Sequence, residues 1–344
     1  MTYLITGVAG FIGSNLAERL LRAGHLVVGV DNLGRKGAHD NLARLYQLGG
    51  LEFHEGDIRN GEWMAGVFSK YPSARAVFHL AGQVAVTTSM VDPRDDFGSN
   101  AMGTFNVLEA VRTNEMLDTA VVYSSTNKVY GGLTDLEVVE RGGRYEFADL
   151  PSGVSETRSL DFHSPYGCSK GCGDQYMRDY ARVFGLKTVC LRQSCIYGYN
   201  QFGIEDQGWV AWLTIAALLG KEISIYGDGR QVRDVLFIDD LVDAYLAAID
   251  HIDKTAGGIF NIGGGPENTL SLLELVGLLE DQMGKKLCLK FAGWRPGDQR
   301  VFVCDIRKAE HTFGWRPKIT TGEGIEKLYN WACAQLDVFR RLFV

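Results

Sequence analysis

Tyr166 and Lys170 are four residues apart in the string Tyr-Gly-Cys-Ser-Lys, within a segment whose periodicity predicts a helix over residues 165–184. This spacing places the phenol and the ammonium on one face of the helix. A lysine charge beside a tyrosine favours the phenolate and lowers the tyrosine pKa from about 10 towards the working range. Such a tyrosine is suited to act as a general base towards an alcohol hydroxyl. Ser124-Ser125-Thr126 ends a predicted strand and adds hydroxyl groups at the sheet edge where ligands bind.

A glycine-rich turn follows the first predicted strand. Gly7, Gly10 and Gly13 lead into a predicted helix whose first residues include Phe11 and Ile12. This strand, turn and helix order lets the backbone approach a pyrophosphate at a helix N-terminus.

An acidic residue, Asp31, ends the second predicted strand, about 20 residues past the last glycine of the turn. A carboxylate there accepts hydrogen bonds from ribose hydroxyls and repels a 2′-phosphate. The sequence therefore predicts a dinucleotide site that prefers NAD. A nicotinamide cation would further favour the phenolate of Tyr166.

Composition limits the classes of partner. The chain has 344 residues, 46% of them hydrophobic, and a net charge of −7. An acidic balance argues against a nucleic-acid binder, and no apolar run approaches the roughly 18 residues of a membrane helix. We therefore expect a cytoplasmic protein without membrane or nucleic-acid partners.

The seven cysteines lack a C-x-x-C pair, which favours reduced structural thiols. Cys168 and Cys172 have helical spacing, but no metal site is expected because no histidine pair lies nearby in the sequence.

Short apolar runs alternate with helical segments in the first half of the chain, which is typical of βαβ units on a parallel sheet. We predict an α/β fold with a Rossmann-type doubly wound parallel sheet. The NAD-binding domain is expected to span residues 1–192, with 232–262 returning to it, and a smaller mixed α/β domain over 193–344 is expected to bind the substrate. Residues 131–160 lack periodicity and are predicted to form a long functional loop.

With these motifs the chain resembles the extended short-chain dehydrogenase/reductase family of nucleotide-sugar epimerases and dehydratases. Besides the glycine turn and the Tyr166/Lys170 pair, the resemblance rests on Asp31-Asn32, Asp57-Ile58, His79-Leu80-Ala81, Asn100, Ser-Ser-Thr-x-x-Val-Tyr-Gly at 124–131, Arg192, Tyr197-Gly198, Arg233-Asp234, Arg295-Pro-Gly-Asp298 and Phe313-Gly-Trp-x-Pro317.

The resemblance implies a catalytic triad of Thr126, Tyr166 and Lys170 acting with bound NAD. The further cofactor contacts expected are Asn32, Arg35, Asp57, Ile58, Leu80, Ala81 and Asn100. Arg233 and Arg295 would hold the diphosphate of a nucleotide sugar, a role suited to guanidinium groups. His79 lies in an apolar run and is expected to be a core residue. The resemblance also implies a homodimer or a homotetramer.

The choice of reaction depends on residues beside the triad. The dehydratase branch carries an Asp-Glu pair where this chain has Asn127 and Lys128, so loss of water by that route is disfavoured. The galactose-type 4-epimerases carry an asparagine where this chain has Cys195. The strings at 82–89, 125–131, 161–170 and 206–210 resemble the branch that interconverts CDP-paratose and CDP-tyvelose at C2.

In that branch, transient oxidation gives a keto sugar. The keto sugar rotates within the site and receives hydride on its opposite face. Trp209 is expected near the nucleotide, and the amides of Gln83, Gln193 and Gln201 are expected near the sugar. Two alternatives stay open at this point. One is a 4-epimerase or related oxidoreductase acting on a UDP-, GDP- or dTDP-sugar, and the other is a non-catalytic dinucleotide sensor.

Overall fold

The computed structural model describes residues 1–295 and 298–343 of the protein. Pro296 and Gly297 of the predicted Arg-Pro-Gly-Asp string lie outside the described residues. The strands are β1 (Thr2–Thr6), β2 (Leu26–Asp31), β3 (Leu51–Glu55), β4 (Ala76–His79), β5 (Ala120–Thr126), β6 (Val138–Arg141), β7 (Arg144–Phe147), β8 (Lys187–Gln193), β9 (Cys195–Tyr197), β10 (Ile223–Tyr226), β11 (Val232–Phe237), β12 (Gly258–Ile262), β13 (Thr269–Ser271), β14 (Leu289–Ala292) and β15 (Val301–Phe302).

The helices are α1 (Phe11–Arg22), α2 (Ala38–Tyr46), α3 (Gly61–Phe68), α4 (Val86–Val91), α5 (Pro93–Phe97), α6 (Gly103–Thr113), α7 (Ser164–Phe184), α8 (Trp209–Leu218), α9 (Ile238–Asp250), α10 (Ile252–Thr255), α11 (Leu272–Met283), α12 (Arg307–Phe313), α13 (Thr321–Ala334) and α14 (Leu336–Phe343). A π-helical turn, Gly98–Met102, joins α5 to α6, and a 3₁₀ turn, Asn127–Tyr130, follows β5. None of the helices in the described part of the chain has both the length and the apolar character needed to cross a membrane.

Seven parallel strands form the central sheet in the order β12-β8-β5-β4-β1-β2-β3. The chain moves outwards from β1 to β2 and β3 on one side, then crosses to β4 and continues to β5 on the other. Strand order reverses between β1 and β4, and ligands of open α/β sheets bind at the carboxyl ends of strands at such a point. The predicted Rossmann-type α/β fold is confirmed.

The middle strands are apolar along their length because helices cover both faces of the sheet. On one face, Ile5 and Phe78 pack with residues of α1 and α9. On the other, Leu4 and Val77 pack with residues of α3, α6 and α7. Alternate side chains of one strand therefore pack into two separate cores. Packing on both faces fixes the position of the strand ends.

The C-terminal part of the chain contributes smaller sheets. Strand β11 pairs with β9, β13 and β15, and β10 pairs with β14. Of residues 232–262, which the sequence predicts to return to the NAD-binding domain, β12 lies in the seven-stranded sheet and β11 lies in a smaller sheet. The boundary near residue 193 between a cofactor domain and a substrate domain stays a prediction.

The prediction of an unstructured loop over 131–160 is wrong, because β6 and β7 form an antiparallel hairpin within it. Gly142 and Gly143 connect the two strands, and both have positive φ angles, of 59° and 79°. A two-residue Gly-Gly connection is a strong hairpin signal, because glycine adopts the left-handed conformation that the tight turn requires. Tyr145 donates to the Asp228 carboxylate at 2.6 Å, which attaches the hairpin to the C-terminal part.

A buried ion pair fixes α7 against the sheet. Asp174 of α7 accepts two hydrogen bonds from Arg192 of β8, each 2.8 Å long, and a third of 2.8 Å from the Ser125 hydroxyl of β5. The side chains of Asp174 and Arg192 are 0% and 2% exposed. Burial raises the pKa of Asp174, but the hydrogen bonds and charge of Arg192 outweigh it, and the net shift is downward. The carboxylate is therefore charged and fully used.

We expect Asp174→Ala to lower the free energy of unfolding by about 3–5 kcal/mol, because it leaves the buried Arg192 guanidinium without its partner. Asp118→Ala is the matched control, since it removes an exposed carboxylate that pairs with Lys187. Urea unfolding followed by circular dichroism should show a clear loss for the first variant and little change for the second. Equal unfolding midpoints would contradict the role given to the buried pair.

Candidate active site

The three residues of the predicted triad lie at the carboxyl end of β5. Thr126 is the last residue of β5, Tyr166 lies in the first turn of α7, and Lys170 follows one turn later. All three are buried. The Thr126 hydroxyl lies close enough to the phenol to favour the phenolate, and the Lys170 ammonium lies 4.5 Å from the ring centroid of Tyr123. The structure thus assembles the predicted hydroxyl, phenol and ammonium.

Helix α7 approaches β5 closely because it carries a glycine at the crossing. A Cβ atom on Gly173 would lie 2.7 Å from the Tyr123 hydroxyl and 3.0 Å from the Thr104 hydroxyl. An alanine at this position has no room unless these groups move. Gly173 therefore helps set the distance between the helix that carries Tyr166 and the strand that carries Thr126.

Burial controls the acidity of the site. It raises the pKa of Tyr166 to about 12, although Thr126 and Arg35 act in the opposite direction. Burial lowers the pKa of Lys170 to about 8, although Asp96 and Asp174 oppose the shift. The sequence predicts a lowered tyrosine pKa from the lysine and a nicotinamide cation together. In the protein alone that lowering is absent, because burial and the charge of Asp96 raise the tyrosine pKa by more than Thr126 and Arg35 lower it.

A buried carboxylate that the sequence analysis missed, Asp96, lies beneath the triad. It accepts hydrogen bonds from Ser169 Oγ at 2.5 Å, Gln83 Nε2 at 2.9 Å and Asn100 Nδ2 at 3.2 Å. The second Gln83 amide hydrogen goes to the Ala85 carbonyl at 2.7 Å. Both hydrogens of this amide are thus bonded within the protein, so the Gln83 amide has no free donor for the sugar that it was predicted to contact. Asp96 links α5, α7 and the segment after β4.

Asn100 presents an acceptor to the site. It lies in the π-helical turn, a feature frequent at functional sites. Its Oδ1 atom is buried and has no hydrogen-bond partner among the described residues. A Cβ atom on Gly82 would lie 2.6 Å from this oxygen and 3.8 Å from the Lys170 ammonium. Asn100 and Lys170 therefore border the same backbone segment, and a ligand there would satisfy the free oxygen.

The glycine turn brings the N-terminus of α1 to the sheet edge. Gly7 has a φ of +74°, and a Cβ atom on Gly13 would lie 2.0 Å from the Gly7 carbonyl oxygen. No capping side chain and no acidic residue of the first turn satisfies the N–H groups at the start of α1, within the described residues. Phe11 and Ile12 begin this helix, so their N–H groups are available to a phosphate.

The end of β2 carries the predicted ribose-binding carboxylate. Asp31 is buried and accepts hydrogen bonds from the N–H groups of Ala9 at 2.9 Å and Leu33 at 2.8 Å. Burial raises its pKa, and these backbone bonds oppose the shift. The carboxylate is therefore held beside the glycine turn, next to Asn32 and the exposed Arg35, whose guanidinium donates to Gln207 at 3.0 Å.

Asp57 has a partner that the sequence analysis did not identify. Arg59 holds its carboxylate with two hydrogen bonds, from Nε at 3.0 Å and from a terminal nitrogen at 2.6 Å. Asn32 adds a third at 3.2 Å. The carboxylate predicted to accept from the adenine amino group is thus already engaged by a guanidinium, although it is partly exposed.

Three other predicted cofactor contacts are Ile58, which lies in the core, and Leu80 and Ala81, which lie beside the glycine turn. The Ile58 side chain is buried in the core, and its carbonyl accepts a hydrogen bond from Asn106 Nδ2 at 2.9 Å. The N–H groups of Leu80 and Ala81 each donate to the Thr6 hydroxyl at 3.2 Å, which fixes the segment after β4 beside the glycine turn. His79 is buried as expected, with ring nitrogens 2.8 Å and 3.0 Å from the hydroxyls of Thr6 and Thr104.

On the opposite wall, Arg233 and Arg295 are each paired with a carboxylate. Arg233 is nearly buried and donates to Asp298 at 2.6 Å. Arg295 lies 3.0 Å from Asp206 and stacks on Tyr226, with the guanidinium carbon 3.8 Å from the ring centroid. The two arginines are thus fixed in orientation, as a site for phosphoryl oxygens requires.

The remaining predicted substrate contacts are buried amides and an indole. Gln193 donates to the Tyr245 hydroxyl. Gln201 donates weakly to the Ile196 carbonyl at 3.3 Å, and its Oε1 atom has no partner among the described residues. The Trp209 indole nitrogen also has no partner in that part of the chain. Gln201 and Trp209 therefore each keep a buried polar atom for a ligand, whereas Gln193 is engaged.

These features fit a bound dinucleotide. The uncapped helix start suits a pyrophosphate, Asp31 suits a ribose, and the free Asn100 oxygen lies on the side of Lys170. Among residues 1–295 and 298–343, no three His, Cys, Asp or Glu side chains come together as a metal site would require.

Comparison with known proteins agrees with this reading. The model of the NAD dependent epimerase/dehydratase family matches residues 3–263. CDP-paratose 2-epimerase of Salmonella typhi is 48% identical over 336 residues, which cover 96% of this chain and 99% of the relative.

Solved structures of similar fold include two 4-epimerases. UDP-glucose 4-epimerase of Thermotoga maritima, solved with UDP-glucose, aligns with a TM-score of 0.84 and 33% identity over 98% of this chain and all of that one. UDP-glucuronic acid 4-epimerase of Bacillus cereus, solved with UDP-glucuronic acid and NAD, aligns with a TM-score of 0.82 and 28% identity over 97% of this chain and 99% of that one. The chain belongs to the NAD dependent epimerase/dehydratase family, as its sequence motifs predict, and NAD is its cofactor.

Proposed function

We propose that this enzyme interconverts CDP-paratose and CDP-tyvelose by inverting C2 of the sugar. The observation that carries the proposal is the 48% identity with CDP-paratose 2-epimerase over nearly the whole of both chains. The assembled Thr126, Tyr166 and Lys170 group supports oxidation and reduction at a hydroxyl-bearing carbon. Lys128, in place of a glutamate, leaves no carboxylic acid to assist loss of water.

The protein supplies proton transfer and orientation. When bound, NAD⁺ accepts a hydride from a hydroxyl-bearing carbon, and its reduced form returns one. Tyr166 takes the proton of the C2 hydroxyl as that carbon is oxidised, and it gives the proton back after the keto sugar has turned over. The Thr126 hydroxyl shares the hydrogen bond, and Lys170 on the next turn supports the phenolate.

Inversion also requires a firmly held nucleotide and a loosely held sugar. Arg233 and Arg295, each fixed by a carboxylate, are proposed to bind the diphosphate. Trp209 and Gln201, with their unpartnered polar atoms, are proposed to contact the substrate. Because these groups come from elements other than α7, the sugar can present either face to Tyr166 while the diphosphate stays in place.

A homodimer, or a homotetramer built from it, is also proposed. Large apolar side chains are exposed on α7 and on the neighbouring π-helical turn and α5, namely Phe97, Met102, Tyr176, Val183 and Phe184. Large apolar side chains exposed together on neighbouring elements are typical of an interface between subunits. Burial of this surface would leave the triad accessible, since Tyr166 lies at the opposite end of α7 from Phe184.

The proposal predicts a defined product. Purified enzyme incubated with CDP-paratose should give CDP-tyvelose, detected by NMR, and should leave a panel of UDP-, GDP- and dTDP-sugars unchanged. Tyr166→Phe should lower kcat by at least about 10²-fold, because it removes the proton acceptor. Tyr46→Phe, the same change at an exposed tyrosine of α2, is the control. Inversion at C4 of another nucleotide sugar would contradict the proposal.

The state of Tyr166 gives a second prediction. Burial disfavours the phenolate, so the pKa is raised and the phenol should stay protonated up to about pH 10 in protein freed of NAD. Near-ultraviolet difference spectra between wild type and Tyr166→Phe should then show no tyrosinate over that range, with circular dichroism confirming the fold. Addition of NAD⁺ should lower the midpoint. Ionisation of Tyr166 near neutral pH in the cofactor-free protein would contradict the electrostatic account.

A further inference from the structure

Lys128 lies beside the triad but has no part in it. It is two residues past Thr126, in the 3₁₀ turn after β5, and its backbone N–H donates to the Thr126 hydroxyl at 3.2 Å. Its half-buried side chain extends to Gln299, with 3.4 Å between Nζ and Oε1. Gln299 is itself anchored, because it donates to the Gly131 carbonyl at 2.5 Å. The ammonium therefore extends towards the wall that carries Arg233, whose partner Asp298 is next to Gln299 in the chain.

The charges around this ammonium do not balance. The groups that act on it from the facing wall are Arg233, Asp298 and Cys195. The Asp298 carboxylate already accepts from Arg233 at 2.6 Å. Burial raises the pKa of the Cys195 thiol, so this group is neutral. Two cations thus share one carboxylate in a half-buried place, which leaves one positive charge without a partner among these groups.

The hydrogen bonds of Lys128 are also incomplete. An ammonium has three donors, and the only side-chain acceptor of Lys128 among the described residues is Gln299, at the long distance of 3.4 Å. Burial and the charge of Arg233 lower its pKa to about 8, and Asp298 opposes the shift. An anion placed between Lys128 and Arg233 would restore the charge balance and accept the free donors.

We propose that Lys128 and Arg233 together bind the phosphoryl oxygens of the substrate, so that Lys128 anchors the diphosphate while the sugar turns over. The identity of the substrate in this proposal rests on the proposed function. The negative charge of the ligand is inferred from Lys128 and Arg233 alone. A neutral sugar hydroxyl would not offset the second cation, whereas a diphosphate carries the charge that this pair lacks. Lys128 is then a binding residue at the junction of sugar and diphosphate.

Binding without turnover tests this role. Calorimetry with inorganic pyrophosphate, CDP and cytidine separates the phosphoryl contribution from that of the base. Lys128→Met, which keeps the stem and removes the charge, should weaken pyrophosphate and CDP binding about tenfold, the effect of one lost charge-assisted hydrogen bond. Cytidine binding should be unchanged, and Lys128→Arg should restore most of the affinity. Lys221→Met is the control, since it removes another half-buried lysine, one that donates to the Phe343 carbonyl.

Turnover then separates binding from chemistry. Lys128→Met should raise KM for the CDP-sugar and change kcat little. Unchanged pyrophosphate and CDP affinity with a fall in kcat would overturn the proposal and assign Lys128 to the sugar. Equal loss of cytidine binding, or no binding of either phosphate compound to wild type, would also overturn it. If wild type bound pyrophosphate through Lys128 but failed to convert CDP-paratose, the proposed substrate would be wrong and this inference would stand.

Discussion

The contact between α7 and the strands beside it is the constraint on which the site depends. Asp174 accepts hydrogen bonds from Arg192 of β8 and from Ser125, the neighbour of Thr126 on β5. Gly173 lets the helix approach Tyr123 at the same level. Because Tyr166 and Lys170 are on this helix and Thr126 is on the strand, the pair fixes all three relative to one another. A buried, fully bonded charge pair suits this purpose, since it has one favourable geometry.

Burial has a second consequence, because it places the acid–base groups in their less reactive states. Tyr166 is held as a phenol, and burial lowers the pKa of Lys170 to about 8, which weakens the preference for its charged form. Asp96 supports the ammonium of Lys170 but disfavours the phenolate. The chain alone is therefore not poised for proton abstraction. Positive charge brought by the cofactor would correct this, which couples activation of the tyrosine to occupancy of the dinucleotide site.

Much of this arrangement is readable from the sequence because it depends on local spacing. Apolar runs predict the strands of the parallel sheet, the glycine turn predicts the start of α1, and the Tyr-x-x-x-Lys spacing predicts one helix face. Asp96 was not predictable, since its partners Gln83 and Ser169 meet it only in the folded chain. The hairpin of β6 and β7 was predictable from Gly142-Gly143 but was missed, because its strands are short and only half-buried.

In the proposed mechanism the hydrogen on C2 leaves the sugar and returns to the same carbon within one protected site, and Tyr166 transfers only the hydroxyl proton. The most direct measurement uses CDP-paratose carrying deuterium at C2, converted in ordinary water and analysed by NMR and mass spectrometry. We expect the CDP-tyvelose formed to keep the deuterium at C2. Loss of the label to solvent at the rate of inversion would contradict this mechanism and would indicate deprotonation of carbon instead.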